Sequence, residues 1–127
     1  MIGYVTVGTN DMKRAATYYD ALFATLGARR TFDTDTFVAW STGQSAPAFA
    51  VTKPFDGNAA TVGNGVMVAI VMDSTAGVAA FHAKALELGG TDEGAPGFRF
   101  ENFYAGYFRD LDGNKLNAFC FAKNSPA

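Results

Sequence analysis

Apolar residues recur along the chain in two rhythms, and the order of those rhythms occurs twice. Residues 2–7 form a short run rich in β-branched residues, which predicts a strand. Met12, Ala15, Tyr19, Leu22, Phe23 and Leu26 then return at helical spacing, with Thr9 or Asn10 placed to cap the helix and Gly27 to close it. Three strand-like runs follow at about 28–32, 36–42 and 46–53, separated by turn residues at hairpin spacing. The stretch 54–65, PFDGNAATVGNG, is dense in Gly, Pro and Asn and predicts a linker loop.

The second half repeats this order. A strand over 66–72 leads through Asp73 or Ser74 into a helix over 75–88, with Val78, Phe81, Ala85 and Leu88 inward and Gly89-Gly90 at its end. A Gly/Pro-containing loop precedes strands near 98–101, 103–109 and 115–121. The last two are joined by Asp110-Leu111-Asp112-Gly113-Asn114, whose Asp-Gly-Asn chemistry is that of a hairpin turn. Tyr4 falls on Met67, Asn10 on Asp73 and Gly27 on Gly90, each 63 residues apart, as a duplicated unit would leave them. The fold class is therefore α+β, one domain over 1–127 built from two β-α-β-β-β modules at about 1–53 and 66–122, linked by 54–65.

Composition narrows the function classes. The net charge is −2 and no basic run occurs, so nucleic acid is not an expected partner. No span approaches the roughly 20 apolar residues that cross a bilayer, and no signal-like segment opens the chain, so no membrane partner is expected and the protein is expected to be cytoplasmic. A lone Cys120 excludes an internal disulfide and a Cys-based zinc site, and its apolar strand offers no base to activate it. Twelve Phe, five Tyr and one Trp are a large aromatic complement for 127 residues, enough to pack a core and line a cavity as well. Neither a nucleotide-binding Gly motif nor a Ser-His-Asp or Cys-His arrangement is present.

Two β-α-β-β-β modules, an opening strand followed by N-D-x-x-R-A-x-x-Y-Y (Asn10 to Tyr19), and D-x-D-G-N (Asp110 to Asn114) before the last strand together resemble the vicinal oxygen chelate superfamily of glyoxalases, bleomycin resistance proteins and dioxygenases. The resemblance spans the whole chain. It implies sheets curled into an open cup, a homodimer with contacts along strand edges between modules, and a divalent metal held by His, Glu or Gln from the first and last strands of each module. Those positions correspond here to Tyr4, Met67, Asn117 and a residue near Phe49, flanked by Ala48 and Ala50. A phenol, a thioether, an amide and a phenyl do not make a site for a hard or borderline cation, so no metal and no cofactor are expected.

Strand alternation turns Tyr4 and Thr6 to one face and Val5 and Val7 under a helix. The same parity groups Met67 with Ala69, Tyr107 with Arg109, and Asn117 with Phe119 on the interior. The candidate ligand-binding cup comprises Tyr4, Trp40, Met67, Tyr104, Tyr107, Arg109 and Asn117. Each has a plainer role beside it: core filling for Tyr4, Met67 and Trp40, a surface ion pair for Arg109 beside Asp110 and Asp112. Asn117 is the most informative, because an amide on an apolar inner face is either satisfied locally or offered to a ligand. His82, the single histidine, sits mid-helix with no convergent partners and is expected to be a structural or surface residue.

The leading expectation is a small-molecule-binding protein of glyoxalase/bleomycin-resistance type with a degenerate, metal-free site. The alternatives are a lyase or isomerase of the lactoylglutathione lyase kind, with Tyr4 or Tyr107 as acid/base and Arg109 as the cation that activates it, or a dioxygenase-like metal enzyme with other ligands. A third is a protein whose cup is filled by its own side chains.

Overall fold

A computed structural model describes residues 1–124 and divides the chain into two compact units, Met1–Asn64 and Gly65 onward. In unit one, β1 (Tyr4–Gly8), α1 (Met12–Ala24), β2 (Arg29–Asp33), β3 (Phe37–Ser41) and β4 (Ala48–Thr52) follow in that order. The sheet order is β1-β4-β3-β2, with β1 parallel to β4 and the other pairs antiparallel. Val7, Val38, Val51 and Phe49 lie under α1 together with Tyr19, Leu22 and Phe23, all 7% exposed or less. Tyr19 is the hub: its ring centroid lies 5.1 Å from Phe23, 4.7 Å from Phe49 and 5.7 Å from Trp40. Each such side chain contributes roughly 1.5–3 kcal/mol by leaving water.

The residue that caps α1 is Asp11, one position beyond the two expected, and its carboxylate accepts from the Arg14 backbone N–H at 3.1 Å. Thr9 and Asn10 have other duties. The Thr9 hydroxyl accepts from Asp11 N–H, and Asn10 binds Ala60 in both directions, Nδ2 donating to its carbonyl and Oδ1 accepting from its N–H. The 54–65 loop is thereby clipped to the end of β1, where a Cβ on Gly8 would meet the Ala60 methyl at 2.9 Å. At the far end of α1, Gly27 at φ 72° lets Ala28 N–H donate back to the Phe23 carbonyl.

Unit two repeats the plan: β5 (Val68–Val71), α2 (Thr75–Glu87), β6 (Thr91–Phe100), β7 (Phe103–Arg109) and β8 (Lys115–Phe121), in sheet order β5-β8-β7-β6. The two helices begin and end 63 residues apart. Ser74 caps α2, and the left-handed residue that closes it is Gly89 (φ 110°), so the counterpart of Gly27 is Gly89 rather than Gly90. The core sets Val78, Phe81 and Ala85 of α2 against Phe108, Leu116, Ala118 and Cys120. The principal departure from the sequence reading is β6, which starts at Thr91 instead of near Phe98. Its Gly94, Pro96 and Gly97 read as loop residues, yet β6 is an edge strand, where a proline forfeits no ladder bond and register shifts around Gly94 and Gly97 absorb the irregularity.

His82 is buried, as a structural role requires, but not without partners. Its Nε2 lies 3.1 Å from both Asp92 Oδ1 and the Tyr107 carbonyl; both are acceptors, so Nε2 carries the proton. Asp92 is held below the usual carboxylate range first by the Gly94 N–H and also by His82. Among the described residues, no helix is long and apolar enough to cross a membrane.

Candidate functional site

The inner face of unit one is set by β1–β4 register: Tyr4 pairs with Ala48 and Thr6 with Ala50, while Ala39 of β3 pairs with Ala50 on the other side. Small side chains at the centre leave a hollow of about 580 Å³, floored by Ala39 and Ala48 and walled by Tyr4, Phe32 and Phe37. Tyr4 is 64% exposed and meets Phe37 edge to face at 6.2 Å.

Trp40 does not belong to this face. It shares parity with Val38, pairs with Phe49 and is 2% exposed beneath α1. Its indole N–H donates to Asp20 Oδ1 at 2.9 Å, and the Arg30 guanidinium lies 5.9 Å from its ring while donating to both Asp20 oxygens. Arg30, followed by the Trp40 hydrogen bond, holds the Asp20 carboxyl below its ordinary range. A buried indole needs an acceptor, and α1 supplies it.

In unit two, hairpin register brings Tyr107 opposite Asn117 and Arg109 opposite Lys115, with Ala69 of β5 beside Asn117. The turn fixes that register: Asp110 Oδ1 accepts from the backbone N–H of Asp112 and Asn114, Oδ2 accepts from Asn114 Nδ2, and Gly113 takes φ 88°. Met67 lies just before β5, 41% exposed. Tyr104 is on the opposite face from Tyr107, because three positions of strand invert a side chain; it pairs with Cys120 and meets Phe98 edge to face at 5.0 Å.

Arg109 is tied down, its Nε donating to Glu93 Oε1 and Nη1 to the Gly113 carbonyl, and it holds Glu93 below the usual carboxylate range. The predicted ion pair forms with Glu93 instead of Asp110 or Asp112. The cations set against Tyr107 are Arg99 and Lys115, 5.3 and 5.5 Å from the ring centroid. Lys115 was legible, two positions before Asn117 on the same face; Arg99 lies in the predicted strand near 98–101, and only the irregular β6–β7 pairing brings it to Tyr107. Asn117 is 1% exposed, and its Oδ1 accepts no hydrogen bond among the described residues.

The paired registers define the ligand positions more finely than the sequence did. Thr6 lies beside Ala50 as Ala69 lies beside Asn117, so the first-module counterpart of Asn117 is Ala50, while Phe49 points under α1. Unit one thus offers Tyr4 and Ala50 at these positions, and unit two offers Met67 and Asn117. No group of three or more His, Cys, Asp or Glu is placed to hold a metal among the described residues. A divalent metal of the kind the fold accommodates elsewhere does not fit these side chains.

The sequence matches the profile of the Glyoxalase/Bleomycin resistance protein/Dioxygenase superfamily over residues 1–118, and the chain belongs to that superfamily. It is similar to a glyoxalase/bleomycin resistance protein from Albidiferax ferrireducens T118 at 37% identity and a TM-score of 0.86, covering 94% of this chain and 98% of that one. A glyoxalase-related enzyme from Fulvimarina pelagi (17% identity, TM-score 0.76, 94% and 87% covered) shares the fold. So does a lactoylglutathione lyase from Agrobacterium tumefaciens (18%, 0.70, 94% and 92%). No curated protein matches the sequence at a significant level.

Proposed function

We propose that this chain is a small-molecule-binding member of the superfamily that works without a divalent metal and assembles as a homodimer. The observation that carries the metal-free reading is the donor set: Tyr4, Ala50, Met67 and Asn117 stand where His, Glu or Gln would be needed. The hollow of about 580 Å³ lies within the range of small-molecule sites and speaks against a cup filled by its own side chains. Arg109, the cation that sequence offered to activate a tyrosine base, is engaged by Glu93 and Gly113, and the cations near Tyr107, Arg99 and Lys115, stand over its ring; binding is favoured over turnover by the uncharged, aromatic-walled hollow of unit one. Of the predicted cup residues, Tyr4 on unit one and Met67, Tyr107 and Asn117 on unit two remain the candidates, with Arg109 as a positioning group at the end of β7.

Exposed apolar side chains on the two edge strands and their approaches, Ile2 on one and Val66 and Val71 on the other, support a second copy as the partner. Light scattering on the purified protein tests that part, a monomer at micromolar concentration overturning it. Metal content by mass spectrometry with a thermal-shift titration of Ni²⁺, Zn²⁺, Mn²⁺ and Fe²⁺ tests the rest. The expected result is no stoichiometric metal and no saturable rise in melting temperature; either one overturns the metal-free reading.

A further inference from the structure

We infer that the hollow on unit one takes a neutral, planar aromatic ligand, an inference that rests on the small-molecule reading above. Its walls carry the argument first. Phe32 and Phe37 meet edge to face at 5.6 Å and 85°, and Phe37 meets Tyr4 at 6.2 Å and 84°, so three rings stand in a row along one side. The outer two, Phe32 and Tyr4, remain 55% and 64% exposed. Ring surface of this extent, concave and unfilled, is what a flat aromatic body covers with offset or edge-to-face contacts.

The floor limits shape. Ala39 and Ala48 present only methyl groups, so a planar molecule approaches the sheet closely, whereas a puckered saturated ring of the same carbon count meets the walls and leaves gaps beneath. Charge limits chemistry. Among the described residues no Asp, Glu, Lys or Arg borders the hollow, so an ionised ligand would shed hydration there with nothing to replace it. An aromatic box also attracts quaternary ammonium groups, but with no carboxylate on its border the attraction rests on ring faces alone.

The polar groups at the rim are uncharged. The Ser41 hydroxyl is engaged internally, donating to the Gly43 carbonyl at 2.8 Å and accepting from Gly43 N–H. The Gln44 amide and Tyr4 hydroxyl, by contrast, make no side-chain hydrogen bond among the described residues and are available to one hydroxyl, carbonyl or amide substituent on the ring.

The test titrates the full chain with 2-naphthol, 2-naphthoate, decahydro-2-naphthol and 2-naphthyltrimethylammonium, read by ¹H–¹⁵N chemical-shift perturbation. Saturable binding of 2-naphthol is expected, with perturbations centred on Tyr4, Phe32, Phe37 and Ala48. The other three probes should bind at least about tenfold more weakly. Phe32→Leu keeps apolar volume at an exposed position and removes the ring, so it should weaken 2-naphthol about tenfold and leave the saturated analogue unchanged. Equal binding of a saturated or charged probe, or no effect of Phe32→Leu, overturns the inference. Perturbations confined to Tyr107 and Asn117 would overturn it too while leaving the small-molecule reading in place. A saturable metal shift would remove the metal-free reading without bearing on the hollow.

Discussion

Replacing Asn117 with leucine should stabilise the protein, an unusual outcome for a substitution at a 1% exposed position. The side chains share the same branching, so the leucine occupies the space between Tyr107 and Ala69 without opening a cavity. What is removed is an amide oxygen that the fold buries without a donor, a group whose desolvation costs about 1–3 kcal/mol. Two methyl groups are larger than an oxygen and a nitrogen, and crowding takes back part of the gain, leaving about 1 kcal/mol net. For a chain of this size that is roughly a 3–6 °C rise in Tm. Thermal and urea melts followed by far-UV circular dichroism measure it, with Asn117→Asp as the contrast. The carboxylate would be buried without a partner, so that variant should be destabilised at neutral pH and regain stability as acid protonates it. A leucine variant that melts lower by 1 kcal/mol or more would refute the reasoning and show that the oxygen is bound in the folded protein, for instance by an internal water.

Three further outcomes are expected. Trp40→Phe keeps most of the packing under α1 but strands the Asp20 contact and the Arg30 stacking, and should cost about 1–2 kcal/mol in urea unfolding followed by circular dichroism. The depressed folded-state pKa of Asp20 means its contribution is present above the unfolded value of about 3.9 and is lost as pH falls through the folded one; Asp20→Asn should therefore flatten the acid limb of the stability profile, by well under 1 kcal/mol because the carboxylate is nearly half exposed. Gly106→Ala places a methyl 3.1 Å from both His82 Cδ2 and Pro96 Cγ, and since Asp92 and the Tyr107 carbonyl pin the imidazole, a loss of about 1–3 kcal/mol is expected in the same urea assay, a neutral result meaning that the ring yields.

What sequence disclosed and what it withheld divide along physical lines. Periodicity located both helices and placed β7 and β8, because these are long amphipathic elements whose pattern burial enforces. It missed most of β6, residues 91–97, where edge position lets Gly and Pro stand in a strand without penalty; Arg99 falls in the part that was read as strand, but its approach to Tyr107 depends on the irregular β6–β7 pairing. Strand register sets Tyr4, and in the second unit Tyr107 and Asn117, at the parity opposite the residues packed under the helices, and the same parity separates Tyr104 from Tyr107. Trp40 was ambiguous because a large amphipathic ring suits either face; the deciding group, Asp20, lies twenty residues earlier on a helix whose rotation the pattern does not specify. The identity of Ala50 as partner of Thr6 needed the register of a parallel pair, which depends on an α-helical crossover and not on any local turn.

The Asp110–Asn114 turn has a chemical corollary. Because it sets the offset between β7 and β8 at their joined end, a one-residue slip there would turn Asn117 and Phe119 under α2 and rotate Cys120 outward from its 2% exposed position. The single thiol of the chain thus works as an internal proofreader's mark: silent to alkylating reagents when the hairpin is in step, and labelled when it is not.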